Sequence, residues 1–322
     1  MKFSNIELKH GLMLAPMAGF SDRAMRLVAR ECGAEYSVTE MVSAKAVVYN
    51  DQKTFRLAKI EKDEGYVAVQ LFGSEPDVLA RAANIISETG YGTKRAVAID
   101  INMGCPVKKV FTNSEGSALM ADPNLIYEIV RKTSENTDLP VTVKIRAGID
   151  ESSINAVECA LMAESGGASL VTVHGRTRAQ LYSGKADLDI IKRVKSAVKI
   201  PVIANGDIVD AESALRALSY TGADGIMVGR GAIGNPFVFS EIIAALENRE
   251  YKEPSLGERR DMALKQLSIA IEDKGERVAV REARGQIAQY LRAFRGSARL
   301  RAEINRAESY DEVRMAFFSI EE

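Results

Sequence analysis

The sequence predicts a parallel α/β barrel of the (β/α)8 kind followed by a small all-helical domain. Three observations carry this: short β-rich apolar runs, amphipathic helical patterns alternating with them about eight times, and a purely helical pattern past residue 255. The runs are residues 12–15, 36–39, 66–71, 97–101, 141–145, 170–173, 201–204 and 225–228. Most are continuous in Val, Ile and Leu, as parallel strands covered on both faces should be.

The helical patterns between them have recognisable ends. Residues 22–31 follow the first run, and the second unit is the least regular. Residues 76–88 have Ser74 as an expected N-cap and Pro76 in the first turn. Asp122 caps 123–136, and Gly166-Gly167 stops 152–165. Residues 188–198 and 211–220 complete the set, and 251–257 read as a linker. The expected domains are therefore a barrel over 1–250 and a helical domain over 255–322.

Composition excludes several classes. The chain has 322 residues and a net charge of -1, so the molecule as a whole is no generic polyanion binder. Cys32, Cys105 and Cys159 are far apart, odd in number and without metal-ligand spacing, which points to a reducing compartment and away from a disulfide framework or a zinc site. Cys32 and Cys159 sit in helical patterns and read as packing thiols. The apolar run 12–18 is short and holds Pro16, unlike a signal peptide. No run of about 20 uncharged apolar residues exists to span a membrane. The expected location is cytoplasmic.

In such a barrel the residues following each strand face the active site. They are Pro16-Met17-Ala18-Gly19 after the first run, Gln70 and Phe72-Gly73 at the third, and Asn102 and Cys105 at the fourth. The fifth ends in Lys144-Ile145-Arg146, and the sixth in His174-Gly175-Arg176-Thr177-Arg178. Asn205-Gly206-Asp207 and Gly229-Arg230-Gly231 end the seventh and eighth. One polar residue at a strand end is weak information; so many at one end mark a site. The last two ends offer bare backbone and an arginine where barrels bind phosphate. The stretch 229–234 matches G-x-G-x-x-G, but a dinucleotide fold carries that fingerprint after its first strand, and here it follows the last.

A phosphate site beside Gln70, Lys144 and His174 suits a planar cofactor with amide edges and a phosphate tail. Gln pairs with amide-like edges, and Lys stabilises an anionic reduced ring. Those are the needs of FMN. His174 is one of two histidines and leads into Gly-Arg-Thr-Arg, which sets it apart from a core histidine. His10 has no such context and reads as surface.

The motifs 15–19 (APMAG), 69–73 (VQLFG), 100–106 (DINMGCP), 143–146 (VKIR), 173–178 (VHGRTR), 205–207 (NGD) and Gly229-Arg230 resemble those of the tRNA-dihydrouridine synthases, most closely the bacterial B-type. The resemblance covers nearly the whole chain, and Asn-x-Gly-Cys-Pro is its most discriminating piece. It implies an FMN barrel, a helical domain that helps hold tRNA, and reduction of the 5,6 double bond of tRNA uridines with NADPH as hydride source. Carried over by motif, Pro16, Met17, Ala18, Gln70, Lys144, His174, Asn205, Gly206, Asp207, Gly229 and Arg230 form the flavin shell. Cys105 becomes the proton donor, and Asn102, Arg146, Arg176 and Arg178 become substrate-side residues. One departure is visible: B-type helical domains commonly carry Arg-Lys-His and then Trp-Tyr, whereas this chain has Arg284-Gly285-Gln286 and then Gln289-Tyr290. That bears on tRNA docking and the choice of uridine, not on the barrel chemistry.

The chemistry is consistent with those residues. A free thiol has a pKa of about 8.5 and stays protonated at neutral pH, so it can act as an acid. A uracil reaching a barrel site must leave the RNA stack, which costs less in a single-stranded D-loop. Residues 277–306 hold eight arginines (277, 281, 284, 292, 295, 299, 301 and 306) against Glu282 and Glu303, a net +6 that suits RNA phosphates. Lys108 and Lys109 extend that basic track towards Cys105. Two rivals share parts of the pattern. A barrel acting on a free pyrimidine would not need the arginine-rich helices. A tRNA-binding protein without catalysis would not need Gln70, Cys105, Lys144 and His174 together.

Overall fold

The computed structural model describes residues 1–292 and 297–319. Its centre is a closed barrel of parallel strands: β1 (Leu12–Leu14), β2 (Tyr36–Val38), β3 (Tyr66–Phe72), β4 (Ala98–Met103), β5 (Val141–Arg146), β6 (Leu170–His174), β7 (Val202–Asn205) and β8 (Gly225–Val228). Each strand pairs with the next, and β8 pairs with β1 to close the ring.

Alternation along the strands sorts the side chains. The outward set, such as Leu14, Val69, Ile101, Val143, Val173 and Ala204, packs on the surrounding helices. The inward set at the lower levels, including Met13, Tyr36, Ala68, Ala98, Leu170 and Ile203, fills the barrel. An antiparallel hairpin that the strand pattern did not predict (Lys2–Phe3 with Ile6–Glu7) plugs the amino end with Phe3, Ile6 and Leu8. A short strand, Val42–Ser43, adds to the end of β3.

The covering helices are α1 (Arg23–Glu31), α2 (Pro76–Thr89), α3 (Pro123–Glu135), α4 (Ala156–Ser165), α5 (Leu188–Ala197), α6 (Ala211–Thr221) and α7 (Val238–Leu246). The irregular second unit holds two short helices, Ala44–Val48 and Gln52–Ala58. Asp22 and Asp122 cap α1 and α3 by accepting from Met25 and Leu125 amides. Ser74 does not cap α2: the boundary residue is Glu75, and its side chain makes no cap bond. The helix expected from 152 starts only at Ala156, because Ser152 and Ser153 hydroxyls turn back to the Asp150 carboxylate at 2.7 and 2.9 Å. His10 is not a surface residue: its side chain is 12% exposed and bridges Glu35 and Glu247, with Nε2 at 3.0 Å from Glu247. Two acidic neighbours from distant elements were invisible to the local pattern. Cys32 and Cys159 are buried packing thiols.

Past the linker come α8 (Leu256–Lys274), α9 (Glu276–Ile287), α10 (Ser297–Ile304) and α11 (Tyr310–Phe318). They enclose a core of their own, with Leu267, Ile287, Tyr290, Ile304 and Phe317. Ala270 and Ala279 pack on Ala24 of α1, and Lys274 pairs with Asp22 at 2.8 Å, so these helices rest on the first barrel helix. Among the described residues no helix is long and apolar enough to cross a membrane.

Candidate active site

A cavity of about 1110 Å³ opens at the carboxyl ends of the strands. Strand register builds its floor. Gln70 lies beside Asp100, Asn102 beside Lys144, Arg146 beside His174, and His174 beside Asn205. All are inward positions, so one ring of polar side chains crosses β3 to β7. Pro16, Met17 and Ala18 contribute from the loop after β1, Cys105 from the loop after β4, and Gly206, Asp207, Gly229 and Arg230 from the loops after β7 and β8. Glu253, Arg259, Gln289 and Arg292 reach the same cavity from the linker and the helical region.

Each side chain has a distinct setting. Lys144 Nζ donates to Asn205 Oδ1 at 2.9 Å, and Asn205 Nδ2 donates to the Met227 carbonyl at 2.8 Å. Burial, helped by the nearby Arg146 charge, lowers the Lys144 ammonium to about 8. The His174 imidazole makes no hydrogen bond among the described residues. Burial, then Lys144, Arg146, Arg176 and Arg230, push its imidazole down to about 2, so it is neutral. Arg146 Nε donates to the Gly104 carbonyl at 2.7 Å and Nη1 to the Thr177 carbonyl at 2.9 Å. It thus ties the Cys105 loop to the loop after β6.

Cys105 sits in a built turn. Its amide donates to Asn102 Oδ1 at 2.9 Å, and its carbonyl accepts from the Ser117 hydroxyl at 2.8 Å. Gly116, at φ +61°, lies so close that a Cβ there would come 3.0 Å from the Cys105 Cβ. Burial pushes the Cys105 thiol up, against the opposing pull of Arg146 and Lys144. The half-buried thiol is therefore a protonated acid at neutral pH.

Two expected residues stand elsewhere. Arg176 is buried behind the wall, donating to the Ser183 and Gly184 carbonyls at 3.0 and 2.8 Å and pairing with Asp207 at 2.8 Å. Arg178 lies over the Phe111 ring at 4.0 Å. Neither lines the cavity. Arg295 lies outside the described residues. Asn102 and Gln70 line the floor, but their amides are largely committed: Gln70 Nε2 donates to Asp100 at 2.7 Å and Gln70 Oε1 accepts from Asn102 Nδ2 at 2.8 Å. Sequence reasoning gave no role to Asp100, Thr142 or Ser117. The available clue was their phase, since Asp100 shares the inward face with Asn102.

The residues fit a flavin. Lys144, Arg146 and Arg230 make the cavity cationic, and the unpartnered His174 ring faces it. The backbone N–H groups of Gly206, Asp207, Gly229 and Arg230 find no acceptor among the described residues, which suits a phosphate. Arg230 stacks on Tyr182 at 4.2 Å and stays half-exposed at the mouth.

Residues 13–319 match the family model described as Dihydrouridine synthase (Dus). The chain belongs to the dihydrouridine synthase family. Membership makes it a flavin-dependent oxidoreductase, in keeping with the cationic cavity. It is 44% identical over 307 residues to a "Probable tRNA-dihydrouridine synthase" of Rickettsia conorii, covering 95% of this chain and 91% of that protein. It is 40% identical to the "tRNA-dihydrouridine synthase B" of Pasteurella multocida, covering 95% and 91%. In fold it is similar to an old yellow enzyme homologue from Zymomonas mobilis, with a TM-score of 0.52 at 13% identity over 80% of this chain and 94% of that one.

Proposed function

We propose that this chain is a cytoplasmic, B-type tRNA-dihydrouridine synthase that reduces the C5–C6 bond of D-loop uridines in tRNA. FMN is its cofactor and NADPH its reductant. The observation that carries the reading is a protonated half-buried thiol, Cys105, in the same cavity as Lys144, Arg146 and the neutral His174.

Bound FMN supplies the chemistry of hydride transfer from NADPH to C6 of uracil. The chain does the rest. The amides of Gly206, Asp207, Gly229 and Arg230, with the Arg230 guanidinium, would hold the FMN phosphate. Pro16, Met17, Ala18, Lys144 and His174, which line the same cavity, would hold the ring. Lys144, fixed by Asn205, would stabilise negative charge on it. Gln70 keeps one further donor and one acceptor site for an amide edge. Cys105 Sγ gives its proton to C5 as C6 gains hydride, so a neutral 5,6-dihydrouracil forms and the thiolate recovers a proton from solvent. Arg146, beside that turn, contacts the uracil side. Arg176, through Asp207, and Arg178, over Phe111, shape the loop after β6 rather than touch the base. The helical domain from residue 255, whose arginines Arg277, Arg281, Arg292 and Arg306 are exposed, holds the tRNA body.

The test is expression in cells lacking dihydrouridine, with the modification mapped by position in tRNA. Dihydrouridine at one or more D-loop sites is the expected result. Its absence everywhere from a chain that retains flavin would overturn the proposal, and turnover of free uracil or dihydroorotate would favour a small-molecule enzyme instead.

A further inference from the structure

Asp100 is a fully enclosed carboxylate that the chemistry above does not use. It lies inward on β4 beside Gln70, does not line the cavity, and is 2% exposed. Its Oδ1 accepts from the Thr142 hydroxyl at 2.6 Å, and its Oδ2 accepts from Gln70 Nε2 at 2.7 Å. Burial pushes its carboxyl up to about 6, partly offset by Thr142, Gln70 and Lys144, and both of its oxygens accept in this arrangement.

With Oδ1 taken by the Thr142 hydroxyl, the Asp100 oxygen that meets Gln70 is an acceptor. It therefore dictates which end of the Gln70 amide faces it. With Nε2 committed to Asp100, Oε1 must face Asn102, where it accepts from Nδ2 at 2.8 Å. Asn102 must then turn its Oδ1 to the loop, where it accepts the amides of Gly104 and Cys105 at 3.2 and 2.9 Å. Reversing any amide in this chain sets donor against donor or acceptor against acceptor. The bonds form one directional relay from a buried carboxylate to the backbone that carries the thiol.

We propose that Asp100 is a positioning residue for Cys105, acting through Gln70 and Asn102 to fix the turn that presents the thiol to the cavity. The role rests on the reading of Cys105 as the proton donor to uracil. It also explains why β4 carries a carboxylate inside an otherwise apolar run: an apolar residue would fill the space but leave the Gln70 amide free to reverse. The links from Asp100 to Gln70, from Gln70 to Asn102 and from Asn102 to the Cys105 amide are 2.7, 2.8 and 2.9 Å, short enough to transmit orientation.

The experiment measures Cys105 alkylation by iodoacetamide in the flavin-loaded protein, followed by peptide mass spectrometry, beside dihydrouridine formation. Cys32 and Cys159 are buried and serve as internal references. Asp100→Leu, near-isosteric but with no acceptor, should loosen the turn and speed Cys105 alkylation about fivefold or more, while tRNA reduction falls by at least as much. Asp100→Asn should return both rates to within about twofold of wild type, because its Oδ1 still accepts from Gln70 while its Nδ2 donates to Thr142. A merely space-filling role predicts that Leu is tolerated and alkylation unchanged; that result overturns the proposal. Equal effects of Leu and Asn overturn it too, since charge and not acceptance would then matter. If Asp100→Leu does not fold, Gln70→Leu cuts the relay one link higher and must speed Cys105 alkylation likewise; an unchanged rate overturns the proposal. A wild-type chain that makes no dihydrouridine yet shows this alkylation pattern defeats the functional proposal alone. One that makes dihydrouridine without the pattern defeats the relay alone.

Discussion

The arginines of the barrel and those of the helical region are used in opposite ways. Arg146 and Arg176 are almost fully buried, and backbone carbonyls of neighbouring loops take up their donors. Arg277, Arg281, Arg292 and Arg306 are exposed and pair with no carboxylate among the described residues. A buried guanidinium must satisfy its donors internally or forfeit its hydration, so it becomes a loop fastener. A solvated one keeps its donors for an incoming anion. Arginine content alone therefore does not identify a nucleic-acid surface; exposure and the lack of an internal partner do.

Four expected effects test this difference between buried and exposed cations. The largest concerns the thiol that the barrel arginines surround. Cys105→Ala should retain flavin and NADPH oxidation but lose about a hundredfold or more of dihydrouridine formation, the usual worth of a positioned general acid. Unchanged tRNA reduction would remove Cys105 from that role. Next is Arg146→Met. It leaves the Gly104, Thr177 and Leu181 carbonyls without their donor, and urea denaturation should show a loss of about 3 kcal/mol. A loss under about 0.5 kcal/mol would mean that Arg146 is not a fastener.

The third concerns pH. Burial and the neighbouring Arg146 charge lower Lys144 to about 8. The ammonium is needed to attract an anion, so it acts below that pH and fades above it. FMN affinity, read by flavin fluorescence, should be flat from pH 6.5 to 7.5 and weaken above pH 8 by up to about tenfold per unit. In Lys144→Met the affinity should be weaker throughout and lack this step. The smallest effect is expected on the exposed arginines. Arg277→Ser and Arg281→Ser should each change stability by less than about 0.5 kcal/mol and lower the salt dependence of tRNA binding by roughly one ion. An unchanged salt slope would take those helices out of the tRNA surface.

The resting place of the B-type departure fits the same logic. Gln286 is buried and accepts from Gln266 Nε2 at 3.0 Å, and Gln266 Oε1 accepts from the Tyr290 hydroxyl at 2.7 Å. Gln286 and Gln289 thus have different surroundings. Gln286 serves the interior of the helical region, while Gln289 reaches the cavity.

The order of strands and helices was legible because each leaves a local periodic trace, and the eight runs fall within a residue or two of β1 to β8. The chemistry at the strand ends was legible too, since Gln70, Asn102, Cys105, Lys144, His174 and Asn205 each stand at or near the end of an apolar run. Local sequence therefore sets the inventory: which residues stand at the cavity end of the barrel, and that a thiol is among them. Long-range packing sets which of them touch. It kept Arg176 and Arg178 out of the cavity lining, set His10 between two glutamates, and brought Asp100 beside Gln70, 30 residues away in sequence. Local patterns report which face a residue occupies. Barrel closure and strand register are long-range, and they decide which residues on that face meet.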